Sequence, residues 1–240
     1  MRRFYVGVSI MDSSFAAILN YHEIKCEKVF NFQIQNLTRI GRFSNISSIL
    51  ERKEETFGDN QRPDLLLTFD DGYDSQYEVA QNILSQQEIP AIFFIVTNWV
   101  GRKGYMTWQQ LRELVEYRQF SIGSHTVNHP NLINLSDKDL DHELSYSKST
   151  IEDKLGTSCG LFAIPFGKKT KHYTSAVLEK IGAYYPICFA NNRGYYHNSS
   201  KNHLEIPRIV PPDTKFSYLF QKLVLNQDLT FADKFLLRLF

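Results

Sequence analysis

The sequence predicts an α/β fold built on a parallel sheet. From residue 65 onward, apolar runs of strand character alternate with segments whose apolar residues recur at helical spacing, the pattern of repeated strand and helix units. The length, 240 residues, suits one large domain, because α/β barrels commonly reach that size as single units. An open doubly wound sheet and a barrel both satisfy this pattern, with right-handed crossovers in either.

Taken in order, V-G-V-S-I and A-A-I-L-N-Y read as short strands, and residues 41–63 as a polar, charged loop with helical pieces. Residues 1–60 are thus expected as an N-terminal extension of the main body. Strands are then expected in D-L-L-L-T-F, P-A-I-F-F-I-V-T, F-S-I-G-S, G-L-F-A-I-P, Y-Y-P-I-C-F-A and H-L-E-I-P-R-I-V. Between them T-W-Q-Q-L-R-E-L-V-E-Y, residues 136–155 and T-S-A-V-L-E-K-I-G carry apolar residues at helical spacing. Ser136 is a good N-cap with Asp137 and Asp139 in the first turn, and Gly156 and Gly182 stand where helices end. No internal repeat, low-complexity segment or interdomain linker interrupts the chain.

Composition narrows the function classes. Hydrophobic residues make up 42% and aromatics 14%, enough for a sizeable core and without the signature of disorder. The net charge is +1 with no dense run of Lys and Arg, so the electrostatic footprint of a nucleic-acid binder is missing. Cys26, Cys159 and Cys188 are odd in number and widely spaced, which argues against a disulfide framework and against a zinc ribbon. The basic N-terminus has an apolar run broken by Gly7 and Ser9, stopped at Asp12, and without a small-x-small cleavage site. No apolar run reaches the roughly 20 residues that span a bilayer. A cytoplasmic location, soluble or peripherally bound, is the expectation.

Three motifs carry chemistry. In L-L-L-T-F-D-D-G-Y-D an apolar strand ends in Asp70 and Asp71, two like charges side by side, an arrangement that calls for a cation between them. In S-I-G-S-H-T-V-N-H-P, His125 and His129 stand four apart after another strand, a spacing that can close on one metal ion. In F-A-I-P-F-G, Pro165 interrupts a strand and Gly167 permits a tight turn, so the Phe166 N–H can point outward as an oxyanion donor. All three lie just past the carboxyl ends of predicted strands, where active sites gather in parallel α/β folds. One of the two acids with His125 and His129 makes a metal site of two imidazoles and one carboxylate, and the other acid is left as a general base.

From N-Y-H-E-I through T-F-D-D-G, M-T-W-Q-Q-L, I-G-S-H-T-V-N-H-P-N-L and F-A-I-P-F-G, residues 20–210 resemble the polysaccharide deacetylases of the NodB-homology group, carbohydrate esterase family four. That resemblance implies an irregular (β/α) barrel of about seven parallel strands. It implies Asp70 as catalytic base and Asp71, His125 and His129 as ligands of one divalent ion, zinc before cobalt or nickel. The implied substrate is an N-acetylated sugar, a glycan or lipid-linked sugar, and the products are acetate and a free amine. Hydrolysis of a non-sugar amide and a non-catalytic glycan-binding module on the same fold are the alternatives.

The chain departs from the better-known members together in two motifs. Ala163 stands where they carry Arg, and I-P-R, residues 206–208, stands where they carry L-x-H with its general-acid His. A guanidinium stays charged and cannot be that acid, but Arg208 could reach Asp70 and hold it ionised and oriented. The A-x-P-F-G form resembles the branch acting on poly-N-acetylglucosamine. The proton donor to the leaving amine stays unassigned, with Asp70, His172, His197 and His203 as candidates and His22 in a recurrent Y-H-E-I signature. Residues 214–240 are expected as a helical segment, with Phe231, Phe235, Leu236 and Leu239 recurring at helical spacing. Its apolar face would pack on the barrel wall or lie on a membrane surface.

Overall fold

The computed structural model describes residues 15–51, 62–197 and 203–211, together with Val224. The V-G-V-S-I run and, apart from Val224, the segment at 214–240 lie outside these residues. The described chain alternates strands and helices, those at 27–40 and 74–79 unexpected from the sequence: β1 (Phe15–Tyr21), α1 (Glu27–Ile40), β2 (Arg42–Phe43), α2 (Ile46–Glu51), β3 (Asp64–Phe69) and α3 (Asp74–Val79), the last running into a π-helical turn at Ala80–Leu84. Then come β4 (Ala91–Ile95), α4 (Trp108–Val115), β5 (Phe120–Ser124), α5 (Asp137–Leu155), β6 (Leu161–Ala163), α6 (Ser175–Gly182), β7 (Ile187–Phe189) and β8 (Tyr196–His197).

The strands join one sheet in the order β7-β6-β5-β4-β3-β1-β8, with β2 also on β3. Strands β1 to β7 pair in parallel and only β8 is antiparallel, opposite the start of β1. The N-terminal extension thus enters the sheet itself, because β1 pairs with β3 from Ala16 to Tyr21.

The sheet curls, and residues 206–209 show how far. Ile206 exchanges hydrogen bonds with β7 and its flank, through Cys188 O and Ala190 N, while Ile209 does so with β1 through Ile18 O and Asn20 N. Three residues of chain span at most about 10 Å. The two flanks of the sheet must lie that close, which makes the fold an irregular barrel. The expected strand H-L-E-I-P-R-I-V is thus present only as isolated bridges at Ile206 and Ile209. Pro207 between them has no N–H with which to continue a ladder.

Alternation sorts the side chains. Leu65, Leu67 and Phe69 of β3 join the core under the helices, while Leu66 faces the barrel interior with Ile18, Ile92, Phe94, Phe189 and Ile206. Helix starts follow the sequence signals. Thr107 and Gln110 form a reciprocal capping box at α4, and the Ser136 hydroxyl accepts from Asp139 N at α5. Gly156 ends α5 in the left-handed conformation. Gly182 behaves differently: it is the last residue of α6, and an added Cβ would lie 2.8 Å from a Leu204 methyl, so it serves close packing. No helix among the described residues is long and apolar enough to cross a membrane.

Candidate metal centre

The predicted site residues converge at the carboxyl ends of β3, β5 and β6 and on the bridging segment at 206–209. Asp70 continues the ladder through its N–H to Tyr21 O. The chain then turns back through two successive left-handed residues, Asp71 at φ 75° and Gly72 at φ 81°. Asp tolerates that region better than most residues. Past β5, Thr126 (φ 72°) and His129 (φ 58°) are also left-handed, and past β6 so is Phe166 (φ 59°). Non-glycine residues held there cost of order 1–3 kcal/mol each and cluster at functional sites. Phe166 is the centre of a γ-turn closed by the Gly167 N–H on Pro165 O. An added Cβ on Gly167 would meet Asn191 N at 2.5 Å, so only glycine fits. The Phe166 N–H itself finds no acceptor among the described residues.

The two aspartates have different surroundings. Asp70, 1% exposed, receives a bidentate fork from Arg208, Nη1 to Oδ1 at 2.7 Å and Nη2 to Oδ2 at 2.8 Å, and a third bond from Asn20 Nδ2 at 2.9 Å. Burial alone would raise its pKa, but the Arg208 charge, with His125 and His22 adding to it, holds the carboxyl well below the usual carboxylate range. Arg208 is 1% exposed and also packs over the Phe94 ring. Asp71 has no such fork. Burial and then the charge of Asp70 push it up to about 7.

Asp71, His125 and His129 offer ligand atoms within 4.8 Å of one another. Asp71 Oδ1 lies 3.6 Å from both His125 Nε2 and His129 Nε2, and it is buried with no hydrogen-bond partner. Two ligands at ordinary zinc distances and a tetrahedral angle stand about 3.4 Å apart. His125 commits its Nδ1–H to Ala163 O at 2.8 Å, which leaves the Nε2 lone pair facing Asp71. Burial drives the His125 pKa down to about 3, so the ring is a neutral ligand at pH 7. His129 is lowered as well, again chiefly by burial. Two neutral imidazoles and a carboxylate starved of positive charge fit a divalent cation, and the N/O donor set suits zinc, cobalt or nickel.

A family model described as polysaccharide deacetylase matches residues 57–186, more than half of the chain. The chain belongs to the polysaccharide deacetylase family. It is 29% identical to YxkH of Bacillus subtilis over 118 residues, 49% of this chain but only 42% of that protein, so the match spans less than half of this relative. It is 25% identical over 224 residues to a poly-beta-1,6-N-acetyl-D-glucosamine N-deacetylase of Staphylococcus aureus, covering 88% of this chain and 74% of that one. Among solved structures, the Streptococcus pyogenes deacetylase PplD in complex with acetate shares the fold with a TM-score of 0.74 at 21% identity, over 90% of this chain and 99% of that one.

Beyond the residues read from the sequence, two more side chains, Asn20 and Asn191, reach the site, and His22 of the Y-H-E-I signature joins them. Asn20, past the middle of β1, donates both to Asp70 and to Asn191 Oδ1, and Asn191 in turn donates to Phe166 O. His22, with its side chain 44% exposed, puts Nε2 4.0 Å from Asp70 Oδ2. His22 and Asn191 each follow a predicted strand, so the rule that gathered the other motifs reaches them, whereas Asn20 lies inside the predicted strand A-A-I-L-N-Y and carries no such signal. His172, His197 and His203 are not drawn in alike. His172 touches the Phe166 ring, whereas His203 pairs with Tyr196 and His197 lies on β8.

Proposed function

We propose that the protein is a metal-dependent N-deacetylase of an amino-sugar glycan. The reading rests on one observation: a buried Asp71 oxygen without a partner faces two neutral imidazoles, beside an Asp70 whose oxygens are already taken up by Arg208 and Asn20. That division makes Asp71, His125 and His129 the metal ligands and leaves Asp70 free for proton transfer. A divalent ion bound there supplies Lewis acidity toward the amide carbonyl and the attacking water.

The residues of the chain do the rest. Water adds to the acetyl carbonyl carbon as Asp70 takes its proton, and the Phe166 N–H donates to the developing oxyanion. Arg208 fixes the orientation of Asp70 and keeps it ionised, at a cost in basicity that disfavours holding the proton for long. His22, near Asp70 Oδ2 and open to solvent, is in place to protonate the leaving nitrogen as the C–N bond breaks, giving acetate and a free amine. This fills the role left open by the missing L-x-H. A cleft of about 340 Å3 opens beside His22, lined by Asn20, Lys25, Gln33, Tyr73 and Pro211 among others, with room for flanking sugar.

The deciding experiment is acetate release from a panel of N-acetylated sugars and oligosaccharides by zinc- or cobalt-loaded protein, beside the same protein stripped with chelator. Release that depends on metal is expected, with longer N-acetylglucosamine chains preferred. Equal release after stripping would remove the metal from the mechanism, and binding without release would favour the glycan-binding alternative. One ion per chain is expected by elemental analysis, and His125→Ala or His129→Ala should lose it. His22→Gln is expected to lower kcat on the order of 10²-fold with zinc occupancy unchanged, as loss of a general acid does. Unchanged kcat would return the proton-donor role to Asp70.

A further inference from the structure

The loop that carries His129 is strained and held from one side by a single buried carboxylate. Thr126 and His129, two left-handed non-glycine residues within four, bracket Val127 and Asn128. Such a conformation persists only where its surroundings over-determine it. Part of the restraint is local: Thr126 N donates to Ser124 Oγ, and His129 N to Thr126 Oγ1 at 2.9 Å. Residues 97 and 98 hold the loop from the β4 side through Thr126 O and Val127 O.

On the opposite side stands Glu143 of α5, 6% exposed. Its Oε2 accepts from Val127 N at 2.8 Å and Asn128 N at 3.0 Å, and its Oε1 accepts from Asn128 Nδ2 at 2.7 Å. Both backbone N–H groups between the two strained residues thus end on one carboxylate oxygen. The helix is itself fixed in register there. Ser147 Oγ bonds Glu143 O, meets Ser124 Oγ at 2.8 Å and lies near the Tyr185 hydroxyl. A charged side chain is rarely buried unless it is paired or fully hydrogen-bonded. No ion pair among the described residues brings a cation to this one, so its partners are the loop amides themselves.

We infer that Glu143 is a positioning residue for the metal centre: it clamps residues 126–129 in the conformation that aims His129 at Asp71, and so sets the affinity for the metal. The inference rests on the metal reading of Asp71, His125 and His129. Nothing in the reaction touches Glu143 itself. Its effect passes through the backbone to one imidazole.

The test is zinc affinity of the folded protein, measured by competition with a chromophoric chelator well below the unfolding temperature, with cobalt absorption as the signature of the ligand field. Glu143→Gln is nearly isosteric, yet its amide nitrogen opposes Asn128 Nδ2 and its oxygen is a weaker acceptor. It is expected to bind zinc about 10- to 100-fold more weakly, the range for residues that orient metal ligands, with Glu143→Ala weaker still and an altered cobalt spectrum in both. A merely structural latch would lower the unfolding temperature without changing native-state affinity. Zinc affinity within twofold of the parent in both variants, while His129→Ala loses zinc, therefore overturns the positioning role and spares the metal reading. A parent protein without zinc affinity overturns both. Should neither Glu143 variant fold, Asn128→Ala removes the exposed arm of the clamp and is expected to weaken zinc by about threefold; unchanged affinity there overturns the inference.

Discussion

Asp70→Asn is expected to keep zinc and lose acetate release by on the order of 10²-fold or more, the usual effect of removing a general base. Asp71→Asn is expected to do the reverse first: zinc occupancy falls, and activity falls because the metal is gone. The two carboxylates are neighbours in sequence, so their difference comes entirely from surroundings. Asp70 spends its oxygens on Arg208 and Asn20, whereas Asp71 Oδ1 is buried with no partner and equidistant from two imidazoles. Asn at 70 also leaves Arg208 without its anion and lowers stability. Zinc content and turnover are therefore compared at a temperature where circular dichroism shows the variant folded. Exchanged phenotypes, with Asp70→Asn losing zinc and Asp71→Asn retaining it, would overturn the division of roles.

What the sequence made legible was local chemistry at strand ends. D-D-G, H-x-x-x-H and P-F-G each follow an apolar run, and the parallel-sheet rule is enough to bring them together. What escaped lacked a local signal. Helix α1 has Phe30, Ile34 and Leu37 at helical spacing, but its N-cap is Cys26, which makes no side-chain cap, so the usual start signal is absent. Helix α3 has six residues and no side-chain cap, and β8 has two residues. Pairing of that length is decided by tertiary contacts rather than propensity.

Glu143 shows a signal that was present and unread. Along α5 the buried positions are Leu140, Glu143, Leu144, Ser147 and Ile151, one helical stripe. A glutamate on the apolar stripe of an amphipathic helix asks what satisfies it. The helix faces β5 and the loop behind it, so the answer lies at the metal ligands. The left-handed conformations of Asp71, Thr126, His129 and Phe166 could not be read in the same way, because only glycines such as the neighbouring Gly72 and Gly167 advertise that backbone conformation.

Arg208→Met is expected to be the most destabilising of the substitutions considered, by about 3–5 kcal/mol, the cost of leaving a buried charge without its partner. Methionine has nearly the length of the arginine stem and leaves little cavity, so the loss measures the stranded Asp70 carboxylate rather than lost packing. The sign with pH follows from the direction of the Asp70 shift. In the parent, Arg208 depresses the folded-state pKa, so the contribution of the pair is fully present above the ordinary carboxylate range and is lost only as the pH falls below it. In Arg208→Met, burial loses its main opponent and the folded-state pKa rises, so the destabilisation is greatest at neutral pH and shrinks as acidification neutralises Asp70. Urea unfolding of the chelated protein at pH 7 and pH 5 checks this: the gap between parent and variant should narrow at the lower pH. Adding Asp70→Asn to Arg208→Met removes the stranded charge, and the double variant should be more stable than Arg208→Met alone, a coupling read directly from the double-mutant cycle. Turnover should follow the same coupling, with Arg208→Lys already impaired because one ammonium cannot reproduce two parallel bonds to Asp70. Additive effects on both stability and turnover would mean that Arg208 and Asp70 act separately, and the mechanism would then need another group to orient its base.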